Sequence, residues 1–149
     1  MMNNDPHAAS RVSECRLITL DKHHHANGNL TVVQNGTSIP FDIARTFYLY
    51  DIPAGESRGG HSHHSLKQFL VAISGCFDVT VDDGVQQKTF TLKRPFEGLL
   101  VEPGIWSVLS NFSAGAVCLC LASEPFDESD YVRNYDDFLS LTKNKRVSP

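Results

Sequence analysis

From residue 13 to residue 122 the apolar positions fall in short runs broken by Gly, Pro, Asn and Asp. Runs of that length, bounded by turn residues, predict strands rather than helices. The candidates lie at 15–20, 30–33, 41–51, 68–74, 76–81, 88–92, 99–101, 106–109 and 116–122. The clearest pair is a hairpin. Phe77, Val79 and Val81 alternate on one face, Asp82-Asp83-Gly84 turns the chain, and Lys88, Phe90 and Leu92 alternate back. The two aspartates read there as turn residues, not as a carboxylate dyad. Over 128–142 the period changes: Tyr131, Tyr135, Phe138 and Leu139 share one helical stripe. Many short strands followed by one helix predict an all-β barrel or jelly roll with a short C-terminal helix. The domain is expected over 13–142, with a frayed tail at 1–12 and another at 143–149.

A length of 149 residues suits one core, and 41% hydrophobic with 20% charged residues is an ordinary globular mix. The net charge of -4 and the lack of a basic run leave no footprint for nucleic acid. The N-terminal MMNNDPHAAS has no apolar stretch of the secretory kind, and no apolar run is long enough to cross a membrane. Cys15, Cys76, Cys118 and Cys120 form no C-x-x-C pair. Cys118 and Cys120, two apart on a strand, are expected on one face as small hydrophobes. A cytoplasmic protein is expected.

The chemistry concentrates in GESRGGHSHHSLKQFLVAISG, residues 55–75. This stretch resembles the first cupin motif, G-x5-H-x-H-x4-E-x6-G, in every spacing, with Gln68 where the motif has a metal-binding Glu. Pro103-Gly104 resembles the turn of the second cupin motif, yet Trp106 follows and no His stands after residue 64. The resemblance implies a double-stranded β-helix barrel. Two of the four ligand positions carry side chains that do not serve, so no metal is expected. On a strand, His61 and His63 point to one face. Their ordinary pKa near 6.5 suits proton transfer. An H-x-H on an arbitrary strand is more often structural, but the glycine spacing and Arg58-Gly59-Gly60 favour a site here. Arg45, Tyr48, Tyr50 and Arg58 are candidates for binding an anion or an oxyanion. Strict alternation puts Tyr48 and Tyr50 opposite Arg45 unless a bulge intervenes. Trp106 reads either as a core aromatic or as a sugar platform at the barrel mouth. His64 is expected at the surface and the His23-His24-His25 run in a solvated loop.

A more specific resemblance covers about residues 28–140. The RG-x-H-x-H core and the ending LASEPFDESDYVRNYDDF are similar to the nucleotide-sugar 3,4-ketoisomerases. That resemblance implies a dTDP-linked 4-keto-6-deoxy sugar as substrate, no cofactor and a homodimer. It also implies a place in making 3-amino-3,6-dideoxy sugars of surface glycans such as the lipopolysaccharide O-antigen. His61 and His63 would be catalytic, and Arg45, Tyr48, Arg58 and Gln68 would line the sugar and diphosphate site; Trp106 is added as a substrate-binding candidate from its place alone. The chain departs from the family at Asn27-Gly28 and at His64, and either C4 configuration of the product stays open. A nucleotide-sugar 3,5-epimerase and a non-catalytic sugar-binding cupin are the alternatives.

Overall fold

The computed structural model describes residues 10–147. Twelve strands are present: β1 (Arg16–Thr19), β2 (Lys22–His25), β3 (Gly28–Thr31), β4 (Arg45–Leu49), β5 (Arg58–His63), β6 (Gln68–Ser74), β7 (Phe77–Asp82), β8 (Gln87–Leu92), β9 (Glu97–Val101), β10 (Trp106–Ser110), β11 (Val117–Ala122) and β12 (Tyr131–Val132). One helix, α1 (Tyr135–Val147), closes the described chain. Two five-stranded sheets, in the orders β1-β9-β6-β11-β4 and β12-β5-β10-β7-β8, face each other as a barrel of the cupin type, and β2-β3 form a separate hairpin.

The two sheets explain the two kinds of apolar pattern. In the first sheet Leu70, Leu99, Val101, Cys118 and Cys120 point between the sheets. Phe69, Val71, Leu100 and Leu121 point the other way, under Leu20, Val33, Ile39, Phe41 and Ile43. A strand buried on both faces reads as a continuous run, as in QFLVAIS and VCLCLA. In the second sheet Phe77, Val79, Val81 and Leu92 are buried while Thr80 and Thr89 meet at 2.9 Å on the solvated face, so β7 and β8 alternate. Their register sets Val79 opposite Phe90, as the hairpin reading expects.

Three expectations need correction. The His23-His24-His25 run is exposed, but it lies on β2 rather than in a loop. There His24 Nδ1 meets Asn29 Oδ1 across the hairpin at 2.6 Å. The helix starts at Tyr135, not near 128, and runs to Val147, beyond the expected limit of 142. Before it come a 3-10 turn at Glu128–Asp130 and the short strand β12, which pairs with β5. Asn134 caps α1 by accepting from the Asp137 N–H at 3.0 Å, and that cap sets the start. Finally, Val12 belongs to the core and not to a tail; residues 1–9 of the expected tail lie outside the described residues.

The Asp82-Asp83-Gly84 turn ties the two ends of the domain together. Asp83 accepts from the N–H groups of Val12, Val85 and Gln86 and lies 3.4 Å from Arg146. Asp82 accepts from the Tyr135 hydroxyl at 2.6 Å. Burial opposes the charge on Asp83, but those donors and Arg146 prevail and hold its carboxyl below the usual carboxylate range.

Candidate active site

His61 and His63 project from β5 into the space between the sheets. Gly59 and Gly60 aim them there. Both have positive φ, +88° and +78°, which glycine alone adopts readily. The register of β5 against β10 slips at this point, from Ser107–His61 to Val108–Gly59, which makes a bulge. A Cβ on Gly59 would stand 2.9 Å from the Ser107 carbonyl oxygen. The pattern Arg58-Gly59-Gly60 is therefore the backbone device that re-aims the strand just before its two histidines.

The imidazole rings of His61 and His63 lie 5.0 Å apart, edge to face. Tyr131, directly opposite His63 on β12, brings its ring to 4.3 Å from His63 and 5.0 Å from His61. Arg133 stacks on the outer side of Tyr131 at 4.2 Å, held by two hydrogen bonds to Glu128 of 2.7 and 2.9 Å. From the opposite sheet, Arg45 and Gln68 face inward on either side of the buried Ala122. The Gln68 amide oxygen accepts from the Cys120 thiol at 3.7 Å. The Arg45 guanidinium lies over Phe47 and Phe126, and its buried Nε has no hydrogen-bond partner among the described residues.

Burial governs the charge of the pair. It lowers the pKa of His61, with help from Arg133, against a backbone hydrogen bond to Gly59 and the Glu128 carboxylate. His63 falls to about 4, through burial first and then the charge of His61, while Asp130 pulls the other way and Arg45 adds to the fall. Both rings are neutral at pH 7, the state a base needs. Below the ordinary histidine pKa near 6.5 the unfolded chain takes up protons that folded His63 refuses until about pH 4. Stability is thus lost as pH falls through that window. We expect the melting temperature to drop from pH 6.5 to 4 and the drop to be shallower in His63→Gln; equal slopes would contradict this account.

Of the seven side chains expected to be catalytic or to bind substrate, four converge: His61, His63, Arg45 and Gln68. Three do not. Tyr48 points away from Arg45 by strand alternation and is 60% exposed. Arg58, on the far side of the bulge from His61, is exposed and shares with Tyr48 and Tyr50 a cleft of about 350 Å³ that contains neither histidine. Trp106 is opposite Asp82, on the outer face of its sheet, and packs against Tyr135 and Phe138 of α1. His64 is exposed, as expected. Tyr131, Asp130 and Arg133 were missed as site residues because a helical stripe was read across them. Their signal was the polar, aromatic ending DESDYVRNY, too rich in chemistry for a solvated helix. Among the described residues no group of three or more His, Cys, Asp or Glu side chains is arranged to hold a metal ion.

The family described as FdtA: WxcM-like, C-terminal matches residues 13–143. The chain belongs to that family. A relative from Aneurinibacillus thermoaerophilus, TDP-4-oxo-6-deoxy-alpha-D-glucose-3,4-oxoisomerase, is 38% identical over 125 residues, covering 84% of this chain and 90% of the relative. The sugar 3,4-ketoisomerase QdtA of Thermoanaerobacterium thermosaccharolyticum, solved with TDP, is 34% identical with a TM-score of 0.88, over 93% of this chain and all of that one. A mutant of QdtA has been solved with TDP-4-keto-6-deoxyglucose, and this chain matches it at 32% identity and a TM-score of 0.89, over the same shares. A dTDP-4-dehydrorhamnose 3,5-epimerase of Bacillus anthracis shares the fold, with a TM-score of 0.72 at 14% identity over 83% of this chain and 80% of that one. As a member of the FdtA family this chain is an isomerase, and its barrel is the one these enzymes use. Among its described residues no helix is long and apolar enough to cross a membrane.

Proposed function

We propose that this isomerase converts dTDP-4-keto-6-deoxyglucose into a dTDP-3-keto-6-deoxyhexose, using His61 and His63 to move the protons. The observation that carries the reading is the pair of neutral imidazoles, 5.0 Å apart under Tyr131, inside a barrel of this family.

The C4 ketone acidifies the proton on C3. His61 takes that proton, the C3–H electron pair becomes the C3–C4 double bond, and O4 carries the negative charge of an enediolate. Returning a proton to C4 while O3 loses its own gives the 3-ketone. Hydrogen moves from C3 to C4 and from O3 to O4 with no net oxidation, so the chemistry needs no redox cofactor. The Tyr131 hydroxyl and the Arg45 guanidinium are the groups suited to the developing oxyanion. Arg45 brings a buried Nε without a partner, and such an atom favours a negatively charged ligand. Gln68, neutral in place of a metal-binding carboxylate, would hydrogen-bond to the sugar.

This reading includes a homodimer working in the cytoplasm on a dTDP-linked sugar, upstream of amination at C3 and of glycan assembly. The test is incubation with dTDP-4-keto-6-deoxyglucose in D₂O, followed by proton NMR. A 3-keto product with deuterium at C4, and exchange in the remaining substrate confined to C3, supports the reading, and the C4 couplings give its configuration. Deuterium at C5 would indicate a 3,5-epimerase, and binding without conversion a sugar-binding barrel.

A further inference from the structure

Asp130 ends the 3-10 turn that leads into β12, and its side chain is only 11% exposed. Three donors of the β5–β6 loop hold the carboxylate: the Ser65 N–H at 2.9 Å, the Ser65 hydroxyl at 2.8 Å and the Leu66 N–H at 3.2 Å. The Asp130 carbonyl accepts from the His64 N–H at 2.9 Å, which locks the turn to β5. So fixed, Asp130 Oδ2 stands 3.3 Å from His63 Nδ1, within ion-pair range although the ring is turned off the line of a hydrogen bond. His63 Nε2 is buried and has no hydrogen-bond partner among the described residues. The charged or titratable neighbours of His63 are His61 on its own strand, Asp130 and Tyr131 on the segment that closes over it, and Arg45 from the facing sheet. Asp130 is the one anion among them.

We propose that Asp130 is a positioning residue for His63: its carboxylate selects the tautomer with the proton on Nδ1, leaves Nε2 as the acceptor, and steadies the imidazolium formed when Nε2 takes the O3 proton of the sugar. A buried imidazole beside an arginine and a second histidine resists charging, and a fixed carboxylate is what makes transient charging accessible. The division of labour follows. Among the described residues His61 has no such anion at hydrogen-bond distance, in keeping with the reading above in which it takes the carbon-bound proton, whereas His63 with Asp130 handles the hydroxyl proton between O3 and O4. The inference rests on the ketoisomerase reading above for the identity of the proton, but not for the tautomer.

The experiment uses full-length protein with nitrogen-15-labelled histidine, titrated by NMR from pH 8 down to well below the His63 pKa of about 4, alongside kinetics of Asp130→Asn and Asp130→Glu. Wild-type His63 is expected to show a protonated Nδ1 and an unprotonated Nε2. In Asp130→Asn the His63 titration should move to lower pH and the tautomers mix. Turnover should fall by about 10²-fold, the low end of what a placed proton-transfer group contributes, with KM changed by less than about threefold; Asp130→Glu should recover part of the rate. A protonated Nε2 in wild type overturns the proposal without any variant. Full turnover in Asp130→Asn overturns it as well. So does lost turnover with the His63 tautomer and titration unchanged, which would leave Asp130 a tether for the Ser65–Leu66 loop. If wild-type protein bound dTDP-4-keto-6-deoxyglucose without converting it, the ketoisomerase reading would fail while the tautomer measurement still decided the role of Asp130.

Discussion

His61→Asn is expected to lower the turnover of dTDP-4-keto-6-deoxyglucose by about 10²–10⁴-fold, the range a positioned acid–base group supplies. The fold should survive. His61 is half-buried, its bulge is formed by the backbone of Gly59 and Gly60, and asparagine has room in the space the ring leaves. Surface or half-buried polar changes of this kind usually move stability by less than about 1 kcal/mol. The measurement is single-turnover kinetics with melting temperature as a control. His61→Asn should also stop the solvent exchange of the C3 proton, because no base remains to remove it. Exchange at the wild-type rate in a folded His61→Asn protein would remove His61 from the role of base and shift attention to His63.

The second large effect concerns stability. Asp83→Ala should destabilise the domain by about 3–5 kcal/mol, the range for stripping a buried charge and its partners. The loss has an identifiable origin. The N–H groups of Val12, Val85 and Gln86 lose their acceptor, and Arg146 loses its ion pair. At about 2–4 °C per kcal/mol for a domain of this size, the melting temperature should fall by roughly 10 °C. Asp83→Asn keeps one acceptor oxygen and should fall by less. A change within about 2 °C for Asp83→Ala would mean that the turn holds its shape without the carboxylate.

The barrel was legible because periodicity reports burial directly. FDVTVDDG alternates because one face of β7 meets the core and the other meets water, and QFLVAIS does not because β6 is covered on both sides. The histidine pair and Gln68 were legible through spacing, since residues two apart on a strand share a face whatever surrounds them. Trp106 was not. Nothing local distinguishes an aromatic at a barrel mouth from one under a helix, and the face of β10 it occupies depends on where α1 docks. Tyr48 could be placed from its own strand, and alternation with Arg45 already pointed it outward. The bulge that would have turned it inward is in β5 instead. Tyr131 was lost to a competing period. Its spacing to Tyr135 and Phe138 fits a helix, but the pairing of Tyr131 with His63 is a contact across 68 positions of chain that no window on the sequence contains.

That same pairing has a kinetic side. The strand carrying the histidines is synthesised about midway through the domain, and its outer edge acquires a partner only when β12 arrives. Contacts between segments so far apart in sequence form late, because closing a long loop loses entropy before pairing returns anything. During synthesis the H-x-H strand therefore waits with unpaired N–H and carbonyl groups on one edge, a surface open to wrong partners. Under the proposed mechanism Tyr131 and Asp130 reach the histidines in the same event that covers that edge, so a nascent barrel without β12 would hold an incomplete site and be an aggregation hazard at once.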